Sequence, residues 1–361
     1  MNVTVPLKER AYDVVIREGV LRDLARLVGA PRGTRVAVVG DRRLAEKLTK
    51  FAAAFEAYGN PSMTIAVAAN ERLKSLRSIE PLYGKLLRGG LDRRSTIVGV
   101  GGGTIGDAIG FVAATYLRGV RFISVPTTLL ADVDSSIGGK TGLNHDLGKN
   151  LIGVVAQPDL VVIDPSILHG LDRRDRISGL GEIVKSALIA DARMYKALLT
   201  SWRDVVALRE PVTSRVIARC VAIKARVVAA DERERTGIRE QLNFGHTVAH
   251  ALENVAGYGT LRHGEAVIVG MRAALALSAA RGHMRESDAG PIEEFLASLP
   301  VPDGWQRFSA RKIAAAAQRD KKRSAKGIRF VLLSNIGRTL SDDGVPQKTF
   351  LSVLRRTGFS A

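Results

Sequence analysis

The chain has 361 residues, 46% hydrophobic and 25% charged, proportions of an ordinary globular protein with room for two domains. Its 54 Lys and Arg against 36 Asp and Glu give a net charge of +18, yet aromatics make up only 5% and do not interleave with the basic residues, which argues against nucleic acid as the main partner. A single cysteine, Cys220, the lack of a basic-then-apolar leader and the lack of any apolar run near about 18 residues exclude an internal disulfide framework and a membrane span, and predict a cytoplasmic protein.

VTVPL and YDVVI read as a strand pair, TRVAVVGD (34–41) as a buried strand, and LAEKLTKFAAAFEAYG as a helix. The rhythm repeats: SMTIAVA is a strand, KSLRSIEPLYGKLLRGGL a helix, STIVGV a strand and TIGDAIGFVAATYL a helix, followed by the β-branched strands FISVP and LVVID. Alternation of this kind predicts a mostly parallel sheet covered by helices, an α/β domain over 1–168. From 169 to 361 helical spacing dominates, and only RFVLLS (329–334) reads as extended. The second domain is therefore expected to be mainly α-helical.

Between a strand and a helix lies GVGGGTIGD (99–107), where glycines let backbone amides approach a pyrophosphate. Gly101, Gly103 and Gly106 fit the dinucleotide spacing, but Arg121 stands about twenty residues on, where a ribose-binding acid is usual. Asp107 could meet a ribose hydroxyl or cap a helix. Further on, GGKTGLNHDLGKN (138–150) looks like a phosphate loop. A triphosphate loop would need glycine where Asp134 stands, and a carboxylate there repels an anion. Lys140, Lys149 and Asn150 still place two cations and an amide in one short glycine-punctuated loop, which suits an anion with several oxygens.

In the helical half, Glu182 of GLGEIVK sits among glycines and apolar residues, where an unpaired carboxylate is costly, and Lys185 shares its helical face. His246 and His250 in NFGHTVAH are four apart on one face, and His263 follows in RHGEAV. Two histidines and a carboxylate, or three histidines, would make a catalytic metal set with a position open for substrate. Arg239 lies four residues before Asn243, and Lys322 belongs to the basic run DKKRSAK.

Taken together, GGGTIGDAIGFVAATYLRG, PTTLLADVDSSIGGKTGLNHDLGKNLIG, GEIVKSALI, IREQLNFGHTVAHALE and RHGEAV, with DKK and RFVLL, resemble 3-dehydroquinate synthases of the sugar-phosphate cyclase group over nearly the whole chain. The resemblance implies an NAD- and zinc- (or cobalt-) dependent lyase of the shikimate pathway, a homodimer, acting on the phosphorylated sugar acid 3-deoxy-D-arabino-heptulosonate 7-phosphate. It places the metal on Glu182, His246 and His263. Arg118, Lys140, Asn150, Lys224, Arg239, Asn243, His250 and Lys322 would bind substrate, and Asp41, Glu71, Lys74, Gly102, Gly103, Asp107, Thr127, Thr128 and Lys149 the NAD. Lys185, His250, Lys140, Asn150 and Asp134 would be catalytic. Departures from the family pattern are Asp132, Arg43 and the segment HGLDRRD (169–175). An aminodehydroquinate- or valiolone-type cyclase, and a metal-dependent polyol dehydrogenase, are the alternatives.

Overall fold

The computed structural model describes residues 1–257, 259–321 and 328–361. Contacts among them divide the chain into two compact units: 1–171 with 210–229, and 172–209 with 230–361.

The first unit runs β1 (Asn2–Val5), β2 (Tyr12–Ile16), α1 (Leu24–Val28), β3 (Val36–Asp41), α2 (Ala45–Ala57), β4 (Ser62–Val67), α3 (Leu76–Arg88), β5 (Thr96–Gly101), α4 (Gly103–Thr115), β6 (Arg121–Pro126), β7 (Lys140–His145), β8 (Gly148–Val155) and β9 (Leu160–Ile163). Seven of these strands form one sheet in the order β1-β2-β9-β6-β5-β3-β4, parallel except for the antiparallel β1–β2 pair. Consecutive strand residues point to opposite faces, and the chain fills both. Val36 and Val38 pack with Leu48, Phe51 and Phe55 of α2 on one side; Ala37 and Val39 pack with Ile105, Ile109 and Val112 of α4 on the other. Burial on both faces explains why these strands read as unbroken apolar runs.

One segment differs from its expected form. Residues 140–155 are not a loop but a hairpin, β7 pairing antiparallel with β8 through Thr141–Val154 and Leu143–Ile152. The register partners Gly142 and Gly153 interrupt the apolar alternation by which a strand is recognised.

The second unit is mainly helical: α5 (Arg173–Ala190), α6 (Ala192–Val206), then, after α7 (Val212–Ala230), whose residues up to 229 group with the first unit, α8 (His246–Ala256), α9 (His263–Ala280), α10 (Glu286–Ser298), α11 (Ala310–Lys321) and α12 (Gln347–Thr357). β10 (Phe330–Asn335) is the expected extended segment, and it pairs with β11 (Arg338–Asp342), a polar strand with no apolar alternation to announce it. At the centre lies α9, with 13 of its 18 residues buried. An 18-residue apolar helix could suggest a membrane, but among the described residues no helix is long and apolar enough to cross one.

Candidate active site

Three candidate metal ligands come from three helices of the second unit, each beside a glycine at a backbone crossing. A Cβ on Gly181 would strike the Gly264 backbone, and one on Gly264 would strike the Ser178 backbone, so α5 and α9 meet with no side chain between them. α8 crosses α9 the same way: a Cβ on Gly270 would strike Gly245 O, and one on Gly245 would lie 2.8 Å from Met271 N. Glu182, His246 and His263 follow or precede these glycines by one residue, so the crossings carry them together. Their ligand atoms lie within 4.8 Å of one another.

Glu182 Oε1 is 3.5 Å from His246 Nε2 and 3.4 Å from His263 Nε2. These separations are long for hydrogen bonds, and the buried carboxylate oxygens receive no well-formed one. They do match a metal: a tetrahedral ion with bonds of about 2.1 Å separates its ligand atoms by about 3.4 Å. The donor set therefore fits zinc or a similar divalent cation. Lys185, buried like Glu182, forms an ion pair with it. Burial pushes the Glu182 carboxyl up, but Lys185 and the two imidazoles outweigh it and hold the group well below the usual carboxylate range. For His246 burial dominates, and its pKa falls to about 3. Burial also lowers His263, but the two carboxylates that flank it, Glu182 and Glu253, override it and raise the pKa to about 10.

His250, exposed, has its ring centre 5.4 Å from that of His246 and 6.1 Å from that of His263. Asn243 is also exposed in this unit. Arg239 is buried; its Nη1 donates to Glu232 O at 2.9 Å and its Nε lies 3.5 Å from Glu234 Oε1. Lys322 lies outside the described residues.

The candidate cofactor residues follow the C-terminal ends of the first unit's parallel strands, where open α/β sheets bind ligands, whereas Arg118 precedes β6 at the opposite end of that strand. Gly102 caps α4 and Gly103 begins it; a Cβ on them would meet Thr128 Cγ2 at 2.9 Å and Ser135 Oγ at 3.0 Å, so the turn packs directly on the segment after β6. Thr127 is buried, its amide bonded to Gly101 O at 3.1 Å. Asp41 ends β3 and accepts from Arg43 Nε at 2.8 Å.

Lys74, buried, ties these pieces to the hairpin. Its ammonium donates to Asp107 Oδ2 at 2.6 Å and to Asn150 Oδ1. Burial raises the Asp107 pKa against the pull of Lys74. Asn150 takes a left-handed φ of 55°, a conformation Asn tolerates, and its amide bonds to Asn144 Oδ1 at 3.0 Å. Asn144 also bonds Glu71 Oε2 at 2.7 Å. Lys140 and Lys149 are exposed on the hairpin. Lys224 Nζ pairs with Asp134 Oδ1 at 2.7 Å and bonds its carbonyl at 2.7 Å. Arg118, exposed, adopts a left-handed φ of 70° between Leu117 (50°) and Gly119 (113°). Asp132 is wholly buried with neither oxygen hydrogen-bonded; burial, then the Asp164 charge, holds its carboxyl well above the usual range.

Sequence reasoning missed Asn144, Glu253 and the pair Arg174–Glu265, in which Arg174 Nε and Nη2 reach the buried Glu265 at 2.9 and 2.7 Å and Glu265 also accepts the Arg262 amide at 2.7 Å. Glu253 had a readable signal: with His246 and His250 it completes an i, i+4, i+7 face of α8.

The chain as a whole is similar to known proteins. The family patterns described as 3-dehydroquinate synthase N-terminal and C-terminal match residues 64–178 and 179–323. A 3-dehydroquinate synthase of Geobacter metallireducens is 40% identical over 345 residues, 93% of this chain and 94% of the relative. Among solved structures, a 2-deoxy-scyllo-inosose synthase complexed with carbaglucose-6-phosphate, NAD+ and Co2+ superposes with a TM-score of 0.87 at 25% identity, over 99% of both chains. A 2-epi-5-epi-valiolone synthase of Streptomyces hygroscopicus with NAD+ and Zn2+ bound gives 0.85 at 27% identity, over 96% of both.

Proposed function

The chain belongs to the 3-dehydroquinate synthase family, and from that premise we propose that it converts 3-deoxy-D-arabino-heptulosonate 7-phosphate to 3-dehydroquinate and phosphate, as a cytoplasmic homodimeric lyase of the shikimate pathway using NAD and zinc or cobalt. The carrying observation is the buried Glu182 with two imidazole nitrogens at 3.5 and 3.4 Å from one of its oxygens, a donor set that asks for a divalent cation.

When bound, NAD+ would take and later return a hydride while the metal polarises substrate hydroxyls, so that no net oxidation results. The chain's own residues do the rest. Glu182, His246 and His263 would hold the metal in the second unit, and His250, exposed next to them, can accept a hydroxyl proton at its ring nitrogen. Lys185 holds Glu182 ionised. In the first unit Asn150 spends its amide oxygen on Lys74, which turns its two N–H donors into the group available to a phosphate oxygen, and Lys140 adds positive charge on the same hairpin. Asp41, Glu71, Lys74, Gly102, Gly103, Asp107, Thr127, Thr128 and Lys149 would contact NAD, with the α4 N-terminus facing its pyrophosphate. Asp134, Lys224, Arg239, Asn243, Arg118 and Lys322 complete the proposed substrate set. Phosphate leaves with the electrons of its carbon–oxygen bond, and the chain positions it and neutralises its charge.

The dimer reading is supported by β8, an exposed strand presenting Leu151, Val154 and Val155, and by Leu147, 80% exposed at the hairpin turn. A second copy covering this apolar edge would relieve it. The decisive assay incubates metal-loaded protein and NAD+ with the heptulosonate phosphate. Stoichiometric phosphate with no accumulating NADH supports the synthase; NADH without phosphate release supports a polyol dehydrogenase.

A further inference from the structure

The His263 ring lies between two carboxylates. Its Nε2 is 3.4 Å from Glu182 Oε1, and its Nδ1 is 3.5 Å from Glu253 Oε1 on α8. His246 is held differently, with Nδ1 3.3 Å from the neutral carbonyl of Phe244. We propose that Glu253 is a positioning residue for the metal set: it fixes the proton of His263 on Nδ1, so that Nε2 presents its lone pair beside Glu182, and its negative charge on the far side of the ring strengthens that ligand's hold on a cation. This rests on the reading of Glu182, His246 and His263 as the metal set.

An imidazole that ligates through Nε2 keeps its proton on Nδ1, and a carboxylate accepting that proton locks both the tautomer and the ring orientation. Glu253 is suited to the task because its side chain is only 14% exposed, which lowers the competition from water. It is delivered by the same helix face that carries His246 and His250, seven and three residues earlier. The α8–α9 crossing at Gly245 and Gly270 brings that face against the start of α9.

A second possibility is visible in the same residues. His250, Glu253 and His263 also offer ligand atoms within 4.8 Å of one another and could be a cation site themselves. The two arrangements exclude each other, because a ring with its Nδ1 proton on Glu253 has no Nδ1 lone pair to give. The proximity of Nε2 to the better buried Glu182, which has a second imidazole on the same oxygen, favours the first.

The test is zinc affinity of the full-length protein, measured by competition with a chelating dye, together with the visible spectrum of the cobalt-substituted form. Glu253→Ala is expected to weaken zinc about 10- to 100-fold and to shift the cobalt bands. Glu253→Gln, which keeps an acceptor oxygen but loses the charge, should fall between Ala and wild type, and being isosteric it decides the matter if the Ala variant does not fold. Wild-type affinity and spectrum in Glu253→Gln overturn the proposal, as does a second zinc equivalent in the wild type that Glu253→Ala removes, since Glu253 would then be a ligand. A wild-type protein that binds no zinc and releases no phosphate instead overturns the reading on which the proposal rests.

Discussion

In the second unit the candidate ligands stand on three helices pressed backbone to backbone through glycines, whereas in the first unit Lys140, Lys149 and Asn150 ride on a hairpin whose outer strand is largely exposed. The metal set is thus positioned by main-chain packing, which changes in discrete steps when a Cβ is added. Asn150 of the anion set is positioned by side-chain hydrogen bonds, Lys74 Nζ donating to its Oδ1 and its backbone N–H donating to Asn144 Oδ1, which can be removed one at a time. The contrast suits the two tasks. A metal demands ligand atoms placed to within tenths of an ångström, while a phosphate with several oxygens tolerates adjustment by long cationic side chains.

The harshest test of this contrast is Gly264→Ala. The new methyl would collide with the Ser178 backbone, and the α5–α9 crossing must open. Destabilisation of about 1–3 kcal/mol and loss of bound metal are expected together, read by thermal melting and metal content. His246→Ala separates the two effects: metal binding and turnover should disappear while the melting profile of the metal-free protein and its helical circular dichroism stay close to wild type. Next in size, Lys140→Ala should raise the substrate concentration for half-maximal rate by about 10-fold or more, the loss of one charged hydrogen bond of about 1.5–3 kcal/mol, with a smaller effect on NAD binding. Equal losses of NAD and substrate binding would show that the hairpin acts as one body and would break the comparison.

The smallest effect lies outside both regions. Asp342 at the end of β11 receives Arg281 at 2.9 Å and His283 at 3.0 Å; burial raises its pKa, but those bonds outweigh it and bring the carboxyl down to about 2. Because the folded pKa lies below the unfolded value of about 3.9, this contribution to stability is complete above pH 4 and fades as pH falls toward 2. Asp342→Asn should flatten the acid limb of the melting-temperature profile and leave metal binding unchanged.

The parallel sheet was legible because burial on both faces writes strands as runs such as VAVVGD and TIVGVG, and connects them with helices of clear spacing. His246 and His250 were legible because a helix puts residues four apart on one face. Other features depend on partners distant in sequence. Nothing local to Asn144 says that it will hold both Glu71 and Asn150, and nothing near Arg174 names Glu265, 91 residues on. The glycine crossings were equally hidden: Gly181, Gly245, Gly264 and Gly270 read as punctuation in helical segments until the opposing backbones were in place. β7 and β8 escaped notice because their central register pair is two glycines.

The most direct measurement combines metal analysis with phosphate assay on one preparation of the wild-type protein and of His246→Ala. The account predicts one zinc or cobalt per wild-type chain, phosphate released from the heptulosonate phosphate in the presence of NAD+ without net NADH, and loss of both metal and phosphate release in the variant. Metal retained and phosphate still released by His246→Ala would contradict it.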